Sequence, residues 1–334
     1  MKVLIIVSAQ QRCNLAHAPA LPSFDANQIA AQAADAHLCA LGPDELIRAH
    51  CSLWWKQTPS LGAHRVGAIG HYASVDGDAA AALLNEAVRI LRENACSIAV
   101  GPMDGNTWRG YRFVTERGSA ERAEPPFFLE PVNPPEWPHQ FLQAGFTPVA
   151  EYYSALNSDL SRHDERIAPI AARLEEAGVF IRSPRMNELS DQLERIYEVS
   201  RISFTHNFLY TELSKPAFLA QYLPLLGCIQ PELILLAERR GDLVGYLFAI
   251  PDLAQAQRGQ AIDTVILKTV AILPQAELRG LGSLLIARAQ QAAYRLGYTR
   301  AIHALMHEDN ISRRISSHYA ITMRRYAVYG LELK

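Results

Sequence analysis

The chain has 334 residues, of which 49% are hydrophobic and 20% are charged. One domain usually takes roughly 100–150 residues, so a single small domain is excluded. The composition also excludes a chain that is mainly disordered. The 32 basic and 34 acidic residues leave a net charge of −2. No general basic surface is available for a phosphate backbone, and we expect no nucleic-acid partner.

Cysteine usage and the N-terminus bear on the compartment. The 5 cysteines form no C-x-x-C pair and no zinc-binding spacing, so we expect reduced thiols, no metal and a cytoplasmic protein. The apolar run at residues 3–7 is shorter than the core of a secretion signal and predicts a first strand instead. No segment offers the ~20 apolar residues of a membrane span, so we expect no membrane partner.

The first half of the chain alternates short apolar runs with one long amphipathic segment. Residues 38–41, 52–56, 65–72, 97–100 and 151–155 predict strands, residues 79–92 predict a helix, and a second, shorter helix ends near residue 142. A charged amphipathic helix follows at 166–177. These patterns predict a first domain at 1–157 and a linker helix within 158–178.

The remaining residues, 179–334, predict a second domain. Its order is a strand at 179–182, helices from 189 and 215, a hairpin at 233–250, a strand at 264–273, a helix at 283–296 and strands at 301–305 and 324–329. A hairpin that leads into a βαβ unit predicts a mixed α/β (α+β) fold, with a mostly antiparallel sheet flanked by helices. The first half follows a shorter version of this order, which indicates a duplicated architecture.

One loop carries the most specific chemical signal. Gly280 and Gly282 join a buried strand to a helix. The first turn of a helix has unpaired N–H groups and a positive dipole end, and glycine lets an anion approach the backbone. The segment is not a P-loop, and Leu285 occupies the third glycine of G-x-G-x-x-G. The loop therefore predicts a phosphate site of another kind.

This loop resembles the acyl-CoA-binding motif of the GNAT (GCN5-related N-acetyltransferase) superfamily. In that family an apolar–Pro strand end is followed by Gln/Arg-x-x-Gly-x-Gly/Ala, and Pro274, Glu277, Gly280 and Gly282 stand at the corresponding positions. The resemblance implies two GNAT-like domains, acetyl-CoA or another acyl-CoA as co-substrate, and no metal. Glu277 departs from the motif; we expect it to weaken CoA binding without abolishing it, because Arg279 adds a compensating charge.

The resemblance also assigns cofactor contacts by position. It implies that the cofactor contacts backbone groups before the loop, backbone groups of the loop and of the helix start, and an asparagine after the next strand. In this sequence they are Val270, Ile272, Leu278, Arg279, Gly280, Leu281, Gly282, Ser283 and Asn310.

Catalytic groups are less well defined. Where many family members carry a tyrosine that protonates the departing thiolate, this chain has Ser317, with Tyr319 two residues later. The acid is therefore either of these or absent, and a packed Tyr319 with its hydroxyl at the surface is slightly favoured over a catalytic one. A general base must take a proton from the attacking ammonium, and its candidates are His303, His307 and Glu308.

The first half lacks its own phosphate loop. Residues 73–79 contain no Gly-x-Gly and carry two aspartates, which predicts a degenerate GNAT-like domain that does not bind CoA. Two loops rich in aromatic residues and proline, 101–112 and 125–137, suit a rigid pocket or a domain interface. Two interpretations remain open: a structural role, or an acceptor site lined by Trp108, Tyr111, Arg112 and Glu130.

We therefore expect an acyl-CoA-dependent N-acyltransferase that moves an acyl group to the amine of a small molecule or amino acid. Direct attack within one ternary complex gains mainly from proximity. The expected partner is the small-molecule amine, and the expected state is a monomer or homodimer. The alternatives are a non-catalytic acyl-CoA-binding or regulatory protein and an aminoacyl-tRNA-dependent transferase; the near-neutral charge disfavours the latter.

Overall fold

Strands dominate the computed structural model, which describes residues 1–6, 16–22, 26–118, 123–309 and 316–334. The predicted strands are present, and the first of them confirms the interpretation of the apolar N-terminal run. The strands are β1 Lys2–Ile6, β2 Ala36–Leu41, β3 Ile47–Trp54, β4 Ser60–Leu61, β5 His64–Ser74, β6 Ile98–Gly101, β7 Phe113–Glu116, β8 Thr147–Asn157, β9 Val179–Arg182, β10 Ile234–Arg239, β11 Asp242–Pro251, β12 Thr264–Ile272, β13 Arg300–His307 and β14 Ile321–Glu332.

One helix end carries a clear local signal. Gly297, with φ of 94°, ends the last described long helix in the left-handed conformation that glycine adopts without strain. No helix in the described ranges is long and apolar enough to cross a membrane. The helices are α1 Ala26–Ala31, α2 Gly77–Glu93, α3 Glu136–Gln143, α4 Ile167–Glu176, α5 Leu189–Ser203, α6 Lys215–Ala220, α7 Leu253–Gln257 and α8 Leu281–Arg295.

One continuous sheet runs through both halves of the chain. Its order is β1-β2-β3-β5-β6-β14-β8-β13-β12-β11-β10-β9. Only the pairs β5–β6 and β12–β13 are parallel on this described path, and α2 and α8 connect them. Each half thus repeats a hairpin that leads into a βαβ unit. The predicted mixed, mostly antiparallel sheet and the duplicated architecture are confirmed.

The two halves exchange their last strands. β14, the end of the second half, lies beside β6 of the first half, while β8 of the first half pairs with β13 of the second. Sequence patterns did not indicate this exchange, because a pattern of buried residues does not say which strand is the neighbour. The boundaries at 157 and 178 stay a prediction, and the sheet runs across them.

Helices cover both faces of the sheet in the second half. Adjacent residues of β12 point to opposite faces, as strand geometry requires. Leu267 packs in a cluster with Leu174 of α4 and Leu284 of α8. Ile266 packs on the other face with Ile196 of α5. Burying each such side chain is worth roughly 1.5–3 kcal/mol. The arrangement holds β12 rigidly between two helical layers.

Candidate functional site

Two neighbouring strands separate at the centre of the second half. β12 and β13 pair in parallel from Thr264↔Arg300 to Leu267↔His303, and their pairing ends there although both strands continue. The opening between residues 268–272 and 304–307 is called the strand cleft below. A β-bulge lies on each of its arms. The first is at Lys268, and the second lies between His303 and Met306. Bulges bend a strand and increase its twist, which accounts for the separation.

The β12 arm presents backbone groups to the strand cleft. The N–H of Leu273 donates to the carbonyl of Val244 on β11, at 2.9 Å. Because backbone groups alternate sides along a strand, those of Val270 and Ile272 point away from β11, towards the cleft. The hydroxyl of Ser203 donates to the Ile272 carbonyl at 3.0 Å. These are the two β12 residues whose backbone contacts the family resemblance implied.

The N-terminus of α8 lies directly after this arm. Gly280 is its N-cap, with φ of 84°, and no side chain caps the helix there. The first bond of the helix runs from the Leu284 N–H to the Gly280 carbonyl, at 3.1 Å. The predicted loop residues divide by exposure: Leu278, Leu281 and Gly282 are buried, Gly280 and Ser283 are partly buried, and Arg279 is exposed.

Arg173 of the linker helix α4 completes this loop, and sequence reasoning missed it. Its guanidinium donates to the backbone carbonyls of Glu277 and Arg279, the first at 3.3 Å. The Glu277 side chain itself is exposed. Arg173 therefore fixes the backbone of the loop that carries Glu277 and Arg279. No sequence signal singles out Arg173, because its role depends on how α4 packs.

The corresponding helix start in the first half is built differently. Asp76 caps α2, and its carboxylate accepts from the Ala79 N–H at 2.7 Å. Asp78 adds a second acid to the same turn. A carboxylate already occupies the position that an external anion would take. That the first half is a degenerate copy without CoA binding stays a prediction.

The predicted acids lie on the α4–α8 side. The Tyr319 hydroxyl donates to Asp164 at 2.7 Å, and burial together with this bond raises the pKa of Tyr319. His303 lies with its ring centroid 6.3 Å from that of Tyr319. His303 is 2% exposed, and burial lowers its pKa to about 4. Neither ring nitrogen has a hydrogen-bond partner among the described residues. Ser317 is exposed.

The other candidates for proton transfer lie at the end of β13. Glu308 forms an ion pair with Arg325. The His307 ring packs edge-on against Tyr152, with centroids 4.9 Å apart, and burial lowers its pKa. The Asp309 N–H donates to His307 Nδ1 at 3.1 Å. Asn310 lies outside the described residues.

Three predicted acceptor residues lie between the two halves. Trp108 donates through its indole N–H to the Thr211 carbonyl at 2.6 Å. The Arg112 guanidinium lies between the rings of Tyr111 and Tyr152, 3.8 and 4.0 Å from their centroids. It also donates to the carbonyl of Leu305, at 3.1 Å. Arg112 thus brings the first half of the chain to the β13 arm of the strand cleft.

Glu130 occupies a different environment. Its carboxylate accepts from Arg324 at 2.8 Å and from the Tyr326 hydroxyl at 2.5 Å. Ser154 bonds to that hydroxyl and accepts from the Leu305 N–H. Glu130 therefore anchors the network that holds the β13 bulge. Its role as an acceptor contact, like the roles of the other site residues, stays a prediction.

Comparison with known proteins agrees with this geometry. Residues 193–314 match the Acetyltransferase (GNAT) family. No curated protein matches the sequence significantly. Among the described residues, no group of three or more His, Cys, Asp or Glu side chains is arranged to hold a metal ion.

Solved structures share the fold at low sequence identity. A GCN5-related glucosamine N-acetyltransferase region of a fungal multi-domain β-N-acetylglucosaminidase has a TM-score of 0.57 and 14% identity, over 91% of this chain and 34% of that one. This chain thus spans about a third of that protein. A GCN5-related N-acetyltransferase from Sphaerobacter thermophilus has a TM-score of 0.52 and 13% identity, over 89% of this chain and 81% of that one.

A third structure spans the full length of both chains. It is a tandem GNAT protein from the clavulanic acid biosynthesis pathway, with a TM-score of 0.51 and 11% identity, over 100% of this chain and 99% of that one. At this identity the likeness concerns the fold alone. The chain thus has the fold of a tandem GNAT protein, and residues 193–314 of its second half match the Acetyltransferase (GNAT) family.

Proposed function

We propose that the protein is an acyl-CoA-dependent N-acyltransferase that acetylates the amine of a small molecule or amino acid. One observation carries this proposal. The strand cleft and the uncapped N-terminus of α8 lie at the same end of β12, so a single extended ligand can contact both. Backbone N–H groups of the cleft and the helix start suit an amide-containing chain that ends in phosphates.

The residues at this position fit acyl-CoA. The helix start offers the N–H groups of Leu281, Gly282 and Ser283, with Arg173 and Arg279 as neighbouring cations. Gly280 has a φ of 84°, a left-handed conformation that glycine adopts without the strain that a side chain would add. The bound co-substrate would supply an acyl group activated as a thioester. These residues would hold its pyrophosphate, and the β12 arm would orient its amide-containing arm.

The acceptor amine is expected to enter from the opposite face. There α5, α6 and the loop that carries Trp108 pack against the sheet. Side chains of both halves therefore line the approach to the strand cleft. Holding amine and thioester together makes the reaction effectively unimolecular, which is the largest contribution that this chain can make.

An ammonium must lose a proton before it attacks. Glu308 is already committed to Arg325, and His303 is sealed from solvent at 2% exposure. We therefore assign the base to His307, whose imidazole is kept neutral by partial burial and is still in contact with solvent. Its Nδ1 accepts from the Asp309 N–H, so in the neutral ring Nδ1 holds the lone pair and Nε2 carries the hydrogen. Nδ1 is therefore the nitrogen that takes the proton, and it gives up the bond from Asp309 to do so.

Thiol release tests the proposal. The full chain is incubated with acetyl-CoA and a panel of amino acids and small amines, and free CoA is measured together with the acetylated product. Binding is measured separately as the rise in thermal midpoint with acetyl-CoA; a ligand at ~100 times its Kd adds about 2.7 kcal/mol. We expect binding and acceptor-dependent release. Absence of binding would contradict the proposal, and binding without release would favour a non-catalytic CoA-binding protein.

A further inference from the structure

Two positively charged side chains face the strand cleft from its two arms. Lys268 is the extra residue of the β12 bulge, one position beyond the last pair of β12 with β13. Bulges redirect a side chain out of the regular alternation of a strand. The Lys268 side chain reaches solvent. Desolvation by the neighbouring protein atoms, together with the nearby charge of Arg112, lowers the pKa of Lys268.

Arg112 occupies the opposite arm. It donates to the carbonyl of Leu305, which lies in the β13 bulge. Both residues have a left-handed backbone, with φ of 71° at Arg112 and 56° at Leu305. Such conformations are strained in residues other than glycine and cluster at functional sites. Two tyrosine rings clamp the guanidinium, and the residue is only 7% exposed. The protein thus holds the Arg112 guanidinium in one place at a cost in folding free energy.

Neither cation forms an ion pair with a carboxylate in the described part of the chain. Two acids that belong to the same region are committed elsewhere: Glu130 to Arg324 and Glu308 to Arg325. Only one side-chain hydrogen bond is described for the Arg112 guanidinium, which has five N–H donors. A buried guanidinium that lies near a second cation and has no counterion destabilises a fold unless an anion joins the two.

We propose that Lys268 and Arg112 together bind the carboxylate of the acceptor, so that the acceptor is an amino acid or another amine that carries a carboxylate. The proposal rests on the proposed N-acyltransferase function and narrows its substrate class. A planar guanidinium and a point-charge ammonium suit the two oxygens of one carboxylate.

The position of the pair favours the acceptor over the co-substrate. Arg112 comes from the loop whose Trp108 packs with α5 and α6, on the face opposite α8. The phosphate-binding turn at Gly280 has its own arginines, Arg173 and Arg279. A carboxylate held at Lys268 leaves an amine only a few bonds away, beside the backbone of Val270 two residues further along β12.

The test compares each amino acid of the panel with its amide, which has the same shape without the charge. We expect the parent to prefer the acid, and Lys268→Gln to reduce the acid-to-amide ratio of kcat/KM by roughly 10- to 100-fold, the value of a hydrogen bond to a charged partner. Lys215→Gln is the matched control: it removes the same charge from α6, where the Lys215 side chain is 42% exposed and paired with Glu194. Its ratio should equal that of the parent.

A binding measurement separates this proposal from the catalytic one. The N-acetylated amino acids and their amides are titrated into the CoA-bound protein by ligand-observed NMR, which requires no turnover. Tighter binding of acids, lost in Lys268→Gln and kept in Lys215→Gln, supports the carboxylate site even if no thiol is released. Equal binding of acid and amide to the parent, no binding of either, or an acid preference that Lys268→Gln keeps would overturn it.

Discussion

The guanidinium of Arg173, on the helix that links the two halves, donates to the backbone carbonyl of Glu277 in the loop before α8, at 3.3 Å. A second bond joins it to the carbonyl of Arg279. The loop is thus tied to the linker helix by a cation, at the place where the family motif is interrupted by an acid. This contact adds a cation to a turn that carries Glu277.

Replacing Arg173 should weaken CoA binding. We expect Arg173→Ala to raise the Kd for CoA by roughly 3- to 10-fold, since a loop anchor and a nearby charge are lost together. Isothermal titration with CoA measures the effect, and raised salt should reduce the difference. Arg162→Ala is the control, because Arg162 is 84% exposed and pairs only with Asp159 among the described residues. An unchanged Kd in Arg173→Ala would contradict the assignment.

Adding a methyl group at Gly280 should affect both stability and binding. Gly280 has φ of 84°, and a Cβ there would meet Ile170 Cγ2 at 3.0 Å. The left-handed conformation alone costs roughly 1–2 kcal/mol for another residue. We therefore expect Gly280→Ala to lower the free energy of unfolding by at least that amount and to weaken CoA binding. Denaturant melts and CoA titration measure the two effects.

Gly297→Ala is the control that distinguishes a general loss of stability from a local effect at the loop before α8. It lies at the other end of the same helix, with φ of 94° and no atom within 4 Å of the added methyl. Its stability loss should be comparable, and its CoA affinity should equal that of the parent. Loss of affinity in both variants would show that the effect is global and not located at the loop.

Removing the Tyr319 hydroxyl should change kcat little. The hydroxyl donates to Asp164, so its proton is directed at a carboxylate and not at the strand cleft. We expect less than about a fivefold fall in kcat for Tyr319→Phe, and the same for Asp164→Asn. A general acid contributes roughly 10²- to 10⁴-fold. A fall beyond 100-fold in Tyr319→Phe alone would assign the acid to this tyrosine.

Stability should fall in mild acid. Burial lowers the pKa of His303 and of His50 from 6.5 to about 4. The unfolded chain therefore takes up protons first, as the pH falls below about 6.5, and the folded state loses stability down to about pH 4. Linkage sets the limit at about 1.4 kcal/mol per pH unit for each histidine. Urea melts between pH 7.5 and 4.5 measure the slope.

Replacing His303 shows how much of this pH dependence of stability comes from that histidine. His303→Gln removes one buried histidine, so the free energy of unfolding should depend less steeply on pH below about 6.5. His206→Gln, at an exposed position, should keep the slope of the parent. Equal slopes in the parent and in His303→Gln would show that His303 does not titrate as its burial implies.

Local patterns were sufficient for most of the strands and helices and for the glycine turn before α8. Runs of alternating or continuous apolar residues predicted the strands, and helical spacing predicted α2, α5 and α8. The turn was predictable because Gly280 and Gly282 act through backbone conformation, which a sequence encodes locally. The missing Gly-x-Gly in the first half is likewise a local signal, and Asp76 caps α2 there.

The contacts between distant segments depended on the tertiary structure. Arg112 and Lys268 are separated by 155 intervening residues, and Arg173 reaches Glu277 only because α4 packs beside α8. The exchange of β8 and β14 brings the halves together, and strand pairing of this kind is decided by register and burial across the whole sheet. The sequence by itself determined which backbone turns can form and where the glycine turn before α8 lies. Only the fold decided which charges share the strand cleft, because charge pairing depends on distance in space and not along the chain.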